Sequence, residues 1–343
     1  MRVLVYEFVS GGGLFMRPDW GPPAESLLVE GSAMLQCVVE DLAACADVQV
    51  TVQMDDRLGN LPLSEMVEVV AVSSRAEHDA ALVRLGSRCD RTLLIAPEID
   101  NALAEIAQRL ESQGIRLIGP SAEFIRLASD KSHTAEVLQS QGISVPEGGL
   151  ISAEVKLPAD VSFPLVAKPN CGAGSLDVQW LGDRTAWVEF LQIRDVSEVR
   201  WEAYCRGRPA SIAVLGGRVR AVLLPPCYQQ LSGDGDFTYQ GGGLITEPTE
   251  IGRCQRLAEQ VLGALGCDLG YWGIDLILGD DPAGADDVVI EVNPRLTTSY
   301  AGLRWAIDGN LAQLMLDVVA GKQVSVSVAH PQLRFSAAGR VWR

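Results

Sequence analysis

The order of strand-like and helix-like segments changes character at Gly119-Pro120, and that change limits the folds open to this chain. Before it, apolar strand-like runs at 2–9, 48–54, 67–72 and 91–96 alternate with helical periodicity at 25–46, 77–89 and 102–113. A short strand at 116–118 follows. Strands separated by helices pair in parallel through crossovers. Residues 1–119 therefore predict a small doubly wound parallel α/β domain.

After the switch, two short helices are predicted at 121–128 and 131–141, the second closed by Gly142 with Pro146 beyond. Strands then dominate, at 165–168, 178–180, 199–204, 211–215 and 218–224. A helix at 249–265, a hairpin of 273–278 with 288–293, and a last helix at 310–320 complete the chain. The boundaries expected from this order are 1–119, 120–200 and 201–343.

Composition narrows the function classes. The 343 residues carry 28 Lys and Arg against 44 Asp and Glu, a net charge of −16. A nucleic-acid binder or a polybasic membrane anchor would show the opposite balance. No apolar run approaches a membrane span, and Glu7 interrupts the apolar start, so 1–9 reads as a first strand rather than a leader. The 8 cysteines are scattered without a CxxC pair, and the 3 histidines are far apart. Zinc and His-based nucleophile sites are not expected, and a reducing, cytoplasmic location is.

The acidic hairpin is the strongest chemical signal. On the strands Gly273-Ile274-Asp275-Leu276 and Val289-Ile290-Glu291-Val292-Asn293, alternation puts Asp275 on the face opposite Ile274 and Leu276, and Glu291 with Asn293 opposite Ile290 and Val292. If Leu278 pairs with Val288, Asp275 lies across from Glu291. Two facing carboxylates repel unless a cation sits between them. Oxygen ligands without His or Cys favour Mg²⁺ or Mn²⁺. A solvated sheet face carrying ordinary charges is the competing reading.

Two further segments carry lysines. The apolar strand 163–167 ends at Lys168 and runs into Asn170-Cys171-Gly172-Ala173-Gly174-Ser175. Glycines let backbone N–H groups approach phosphate oxygens closely. A plain hairpin turn has the same composition. Lys131 follows Asp130 at a helix start, before Gly142-Ile143-Ser144-Val145-Pro146, and alone reads as a solvated helix lysine sooner than as a ligand.

Together and in this order, these segments resemble the ATP-grasp superfamily over about 121–321. The resemblance implies an ATP-grasp fold, two α+β subdomains holding ATP between them, preceded by the small α/β domain. It implies ATP as cosubstrate with two Mg²⁺ (or Mn²⁺) ions. Lys131 and Lys168 would contact the phosphates, and Gly172, Ala173, Gly174 and Ser175 would close over them. Glu202 would accept the adenine amino group, with the backbone of Ala203, Tyr204 and Cys205 along the ring edge. Asp275, Glu291 and Asn293 would hold the metal, and Arg295 would face the transferred phosphoryl group. Where relatives place an acidic ribose ligand, this chain reads Arg206-Gly207-Arg208-Pro209.

A narrower set of segments is similar to the tyramine–glutamate ligases of methanofuran biosynthesis and related proteins of methylotrophic bacteria. It comprises Leu4 through Gly13, Ile95-Ala96-Pro97-Glu98, and Asn293 through Tyr300. This implies small-molecule acid and amine substrates near Ser10, Gly11, Gly12, Glu98, Thr297, Thr298 and Ser299, with a homodimer as a candidate assembly. Glu98 would pair with the substrate ammonium; the alternative is a cap on the following helix. The Ser10–Gly13 run lacks GxGxxG spacing, so a nicotinamide site is not expected. Residues 239–243, Tyr-Gln-Gly-Gly-Gly, read as a loop over the site. A phosphotransferase and a non-catalytic nucleotide-binding regulator are the rival functions.

Overall fold

The computed structural model describes residues 1–23, 25–59, 61–151, 161–173, 176–193, 196, 198–233 and 235–342. Strand β1 (Arg2–Glu7) sends Val3 and Val5 into one apolar cluster and Leu4 and Tyr6 into another. Both faces of the strand thus need cover. Helix α1 (Glu25–Ala43) covers the first with Leu35, Val38 and Leu42. Strands β2 (Gln49–Asp55) and β3 (Glu68–Val72), helix α2 (Arg75–Arg88), strand β4 (Arg91–Ile95) and helix α3 (Ala102–Ser112) complete the unit. Leu82 and Leu85 of α2 and Ile106 and Leu110 of α3 cover the second face. The sheet is parallel in the order β3-β2-β1-β4, which is the doubly wound arrangement expected. Residues 116–118 make only a single bridge, Thr92 to Leu117, before the chain turns away at Gly119-Pro120.

One glycine inside α1 has a packing cause. A Cβ on Gly31 would lie 2.6 Å from Oε1 of Glu7. Glu7 is 3% exposed and accepts from the backbone N–H of Val9 at 3.1 Å and of Ser10 at 2.7 Å, so it cannot retreat. The helix therefore carries a residue that costs ~1 kcal/mol against alanine. Gly31→Ala should lower Tm despite its better helix propensity, with an overpacking cost of ~1–3 kcal/mol. Thermal unfolding followed by circular dichroism checks this, and an unchanged or raised Tm would refute it.

Helices α4 (Ala122–Ser129) and α5 (Lys131–Ser140) lead into β5 (Gly148–Leu150), β6 (Leu165–Pro169), β7 (Gln179–Leu181), α6 (Arg184–Ile193) and β8 (Val199–Ala203). These strands form an antiparallel sheet, β5-β8-β6-β7, whose core includes Leu165, Ala167 and Trp201 with Trp187 and Phe190 from α6. Then come β9 (Arg208–Gly216), β10 (Ala221–Leu223), β11 (Cys227–Leu231), β12 (Tyr239–Leu244), α7 (Pro248–Leu265), β13 (Gly270–Leu278) and β14 (Val288–Asn293). Helices α8 (Tyr300–Ala306) and α9 (Leu311–Val319) and strands β15 (Arg334–Ser336) and β16 (Val341–Trp342) end the chain. An 8-stranded sheet runs β14-β13-β9-β11-β12-β15-β16, with β10 attached to β9.

Two expectations change here. Residues 239–244 are strand β12, paired with β11 and β15, not a loop. A Cβ at Gly241 would meet the Phe335 carbonyl at 2.1 Å and one at Gly242 the Tyr228 carbonyl at 2.4 Å, so the glycines let neighbouring strands close in. The pairing of β13 with β14 also differs. Ile277, not Leu278, lies opposite Val288, but a bulge at Ile290 restores Asp275 opposite Glu291.

The leading α/β unit is bound to the rest of the chain. Asp41 of α1 accepts from the Tyr300 hydroxyl at 2.8 Å and from Arg304 Nη2 at 2.6 Å, both on α8. One apolar cluster runs from Val3 and Val5 through α1 into Leu303 of α8 and Leu311 and Met315 of α9. That clamp fixes α1 beside the segment that immediately follows β14.

Candidate active site

A large cavity opens between the sheet carrying β6 and β8 and the sheet carrying β13 and β14. Lys131, Lys168, Gly172, Ala173 and the stretch Glu202 to Cys205 line it from one side, and Asp275, Glu291, Asn293 and Arg295 from the other. The predicted nucleotide, metal and phosphoryl residues thus converge from five separate chain segments. Gly174 and Ser175 lie outside the described residues.

The bulge on β14 shapes the metal-facing end. Asp275 Oδ1 accepts from Gln229 Nε2 at 2.9 Å, and Oδ2 accepts from Asn293 Nδ2 at 3.0 Å, with the amide orientation assigned from this network. Burial, reinforced by the charge of Glu291 opposite, pushes the Asp275 carboxyl up from its ordinary value. Burial pushes Glu291 the same way, but Lys131 and Lys168 more than offset it and hold that carboxyl below its usual range. Glu291 Oε2 lies 3.2 Å from Lys131 Nζ. The Ile290 carbonyl, at the bulge, sits 3.5 Å from Lys168 Nζ.

Two carboxylates and an amide in register, one carboxylate starved of positive charge, form a donor set that fits a hard divalent cation sharing phosphate oxygens. Among the described residues there is no cluster of three His, Cys, Asp or Glu that would cage a metal by itself. The donor set fits an ion that keeps phosphate and water in its remaining positions.

That arrangement makes a pH-linked prediction. A cation binds the ionised carboxylates, so Mg²⁺ must displace the proton that the raised value leaves on Asp275. Titrating Mg²⁺ into the nucleotide-free protein in two buffers of different ionisation enthalpy should reveal proton release, growing as pH falls below the raised value. In the metal-free protein the folded state binds this proton more tightly than the unfolded state. Stability should fall as pH climbs from the ordinary aspartate range, about 3.9, through the raised value. Buffer-independent enthalpy at every pH would refute the assignment.

The lysines are held by contacts between segments far apart in the chain. Asn170, 7% exposed, accepts from Ser132 N through Oδ1 at 2.9 Å and donates to Asp130 Oδ1 at 2.9 Å, docking the start of α5 against the glycine segment. Lys131 Nζ donates to the Gly172 carbonyl at 3.0 Å. Glu202 Oε2 lies 2.7 Å from Lys168 Nζ, and Oε1 accepts from Arg200 Nε at 2.8 Å. Both oxygens expected to meet adenine therefore already carry a cationic partner, though a carboxylate has lone pairs for more. Ala203, Tyr204 and Cys205 follow it along the cavity, where the Tyr204 ring stacks with Phe237 at 6.3 Å.

The substrate residues divide. Thr297, Thr298 and Ser299 line the cavity, with Tyr271 OH 3.2 Å from Thr297 Oγ1 and 3.1 Å from Ser299 Oγ. Ser10, Gly11 and Gly12 do not line it; all three are buried. The Gly11 N–H donates to the Glu7 carbonyl at 2.7 Å and its carbonyl accepts from Gln53 Nε2 at 2.9 Å, so the run is an internal turn. A Cβ on Gly11 would reach the Tyr6 ring at 2.8 Å, which is why glycine stands there.

Glu98 also departs from both of its expected roles. It makes no capping hydrogen bond to the following turn. Arg295 Nε lies 3.1 and 3.2 Å from its two oxygens, aligned for a hydrogen bond to Oε2. Glu98 is 3% exposed and does not line the cavity. A buried guanidinium needs a counter-charge, and Glu98 supplies it. Among the described residues, the carboxylate at this end without an ion-pair partner is Glu30 of α1, which lines the cavity. A single acid on a helix gives no signal of that kind.

Comparison with known proteins bears on the same segments. The ATP-grasp domain family matches residues 128–299 and the pre ATP-grasp 3 domain family matches 48–125. The chain is 32% identical over 182 residues to D-alanine–D-alanine ligase of Methylorubrum extorquens (strain PA1), covering 49% of this chain and 58% of that one. It is 23% identical over 257 residues to the carbamoyl phosphate synthase large chain of Thermus thermophilus, covering 69% of this chain and 23% of that one. The matched region is thus well under two thirds of either relative's length. Among solved structures, an L-amino acid ligase from Bacillus licheniformis superposes with a TM-score of 0.67 at 19% identity, over 94% of this chain and 76% of that one, a likeness of fold.

Proposed function

The chain belongs to the ATP-grasp family, and on that footing we propose that it is an ATP-dependent carboxylate–amine ligase. The observation that carries the reading is the convergence of Lys131 and Lys168 with Asp275, Glu291, Asn293 and Arg295 on one cavity. ATP would phosphorylate a substrate carboxylate, and an amine would displace phosphate from the acyl phosphate to form an amide. Phosphoryl transfer depends mostly on position and charge, and these residues supply both. Lys131 and Lys168 would hold the phosphates, and Asp275, Glu291 and Asn293 would hold Mg²⁺. When bound, Mg²⁺ neutralises charge on the phosphoryl oxygens. Arg295, kept in place by Glu98, would stabilise the phosphoryl group in transit and then the acyl phosphate.

The finer reading is glutamate joined to tyramine, tyrosine or a related aromatic amine. It rests on the segments 4–13, 95–98 and 293–300 that resemble tyramine–glutamate ligases. The packing of Ser10 to Gly12 away from the cavity leaves the last of these as its main support. A screen of amino acids against aromatic amines, read by ADP release and amide product, tests both levels. ADP formation that needs acid plus amine supports the ligase. Release with a single acceptor supports a phosphotransferase, and none above background a regulator. ADP formation with other pairs but never with glutamate and an aromatic amine would remove the finer reading alone.

A further inference from the structure

Among the described residues, every other carboxylate around the cavity already has a claimant. Glu291 lies against Lys131, Glu202 between Lys168 and Arg200, and Glu98 against Arg295. Asp275 is oriented by Gln229 and Asn293 toward the metal-facing end. Glu30 differs. Thr298 Oγ1 donates to its Oε2 at 2.7 Å. Among the described residues its Oε1 has no hydrogen-bond partner and the carboxylate has no ion-pair partner. It is held rigidly, because Gly31 seats α1 on Glu7 and Asp41 ties the same helix to Tyr300 and Arg304. Burial raises its carboxyl above the ordinary value, against the Thr298 hydrogen bond and the field of Arg295, as expected where a counter-charge is missing.

We propose that Glu30 is the binding group for a primary ammonium of the substrate. An ammonium drawn into the cavity loses water and needs an anionic partner there. The Arg295–Glu98 pair is neutral as a unit, so it neither satisfies nor repels such a group strongly. Glu30 supplies the negative charge, and Thr298 orients it. The assignment rests on the ligase reading, which offers two sources of ammonium: the α-ammonium of the amino acid that is activated, and the amine that accepts it.

The test compares wild type with Glu30→Gln and Glu30→Asp, using glutamate and tyramine as probes. Glu30→Gln should raise the apparent KM for one of them at least ~10-fold while that for the other and for ATP stay within about twofold. The substrate that responds identifies the source of the ammonium. Glu30→Asp keeps the charge and should recover much of the loss, which a packing defect would not. Calorimetric titration of glutamate and of tyramine into the MgADP-loaded protein should show the same selective weakening without turnover. Both KM values within twofold of wild type, or a parallel rise for ATP, overturns the proposal. So does calorimetry in which wild type binds neither probe, or in which Glu30→Gln binds both as wild type does. If wild type binds a probe and Glu30→Gln does not, yet no acid–amine pair of the screen gives an amide, the ligase reading fails and the ammonium site stands.

Discussion

Glu291→Gln should cut amide formation at least ~100-fold, the scale on which lost electrostatic stabilisation of a transition state is felt. The substitution keeps size and hydrogen bonding but removes one of the two charges facing each other across β13 and β14. It also takes the ion-pair partner from Lys131, whose amine lies 3.2 Å away. With Glu291 neutral, the repulsion that helps raise Asp275 is relieved, which offsets part of the cost of leaving Lys131 without its partner. Turnover measured across a Mg²⁺ series, beside Tm, separates the outcomes. Activity near wild type at saturating Mg²⁺ would remove Glu291 from the metal site. A large fall in Tm would point to a structural role.

Lys168→Ala should weaken ATP by ~10–100-fold while adenosine changes by no more than about threefold. The range follows from losing a hydrogen bond to a charged group, ~1.5–3 kcal/mol. The contact goes to phosphate, so the nucleoside should not report it. The cost to the fold is bounded, because Glu202 keeps Arg200 at 2.8 Å after Lys168 has gone. Calorimetric titration of ATP and adenosine into both proteins decides the matter. Equal weakening of the two ligands would mean that the segment Glu202 to Cys205 has been disturbed, not that a phosphate contact was lost.

Much of this geometry was legible in the chain. Val3, Leu4, Val5 and Tyr6 alternate between two apolar faces, and the faces found their helices as a parallel sheet requires. Asp275 and Glu291 face each other as alternation suggests, yet by another route. A uniform register pairs Leu278 with Val288, whereas Ile277 occupies that place and the bulge at Ile290 supplies the missing step. A bulge belongs to the pair of strands, and neither strand alone carries its signature. The glycines at 241 and 242 misled in the opposite direction. Their small size serves the approach of Phe335 and Tyr228, and composition alone makes such a run look like a loop.

Consecutive residues express the periodicity of strands and helices, the change of architecture at Gly119-Pro120, and the order of the two lysines, the 202–205 segment and the acidic hairpin. Which of the remaining polar groups reach the cavity depends on packing between distant segments. Ser10 to Gly12 look exposed as a glycine run and are buried as a turn, because Tyr6 and Gln53 close over them. Glu98 looks free and is taken by Arg295, 197 residues away. Glu30 looks like an ordinary helix acid and lines the cavity beside Thr298, 268 residues away. Local patterning fixes the face on which a side chain lies, through the period of its own element. Its partners depend on how α1 packs against α8, and that packing is a sum of contacts between segments that no short stretch of sequence contains.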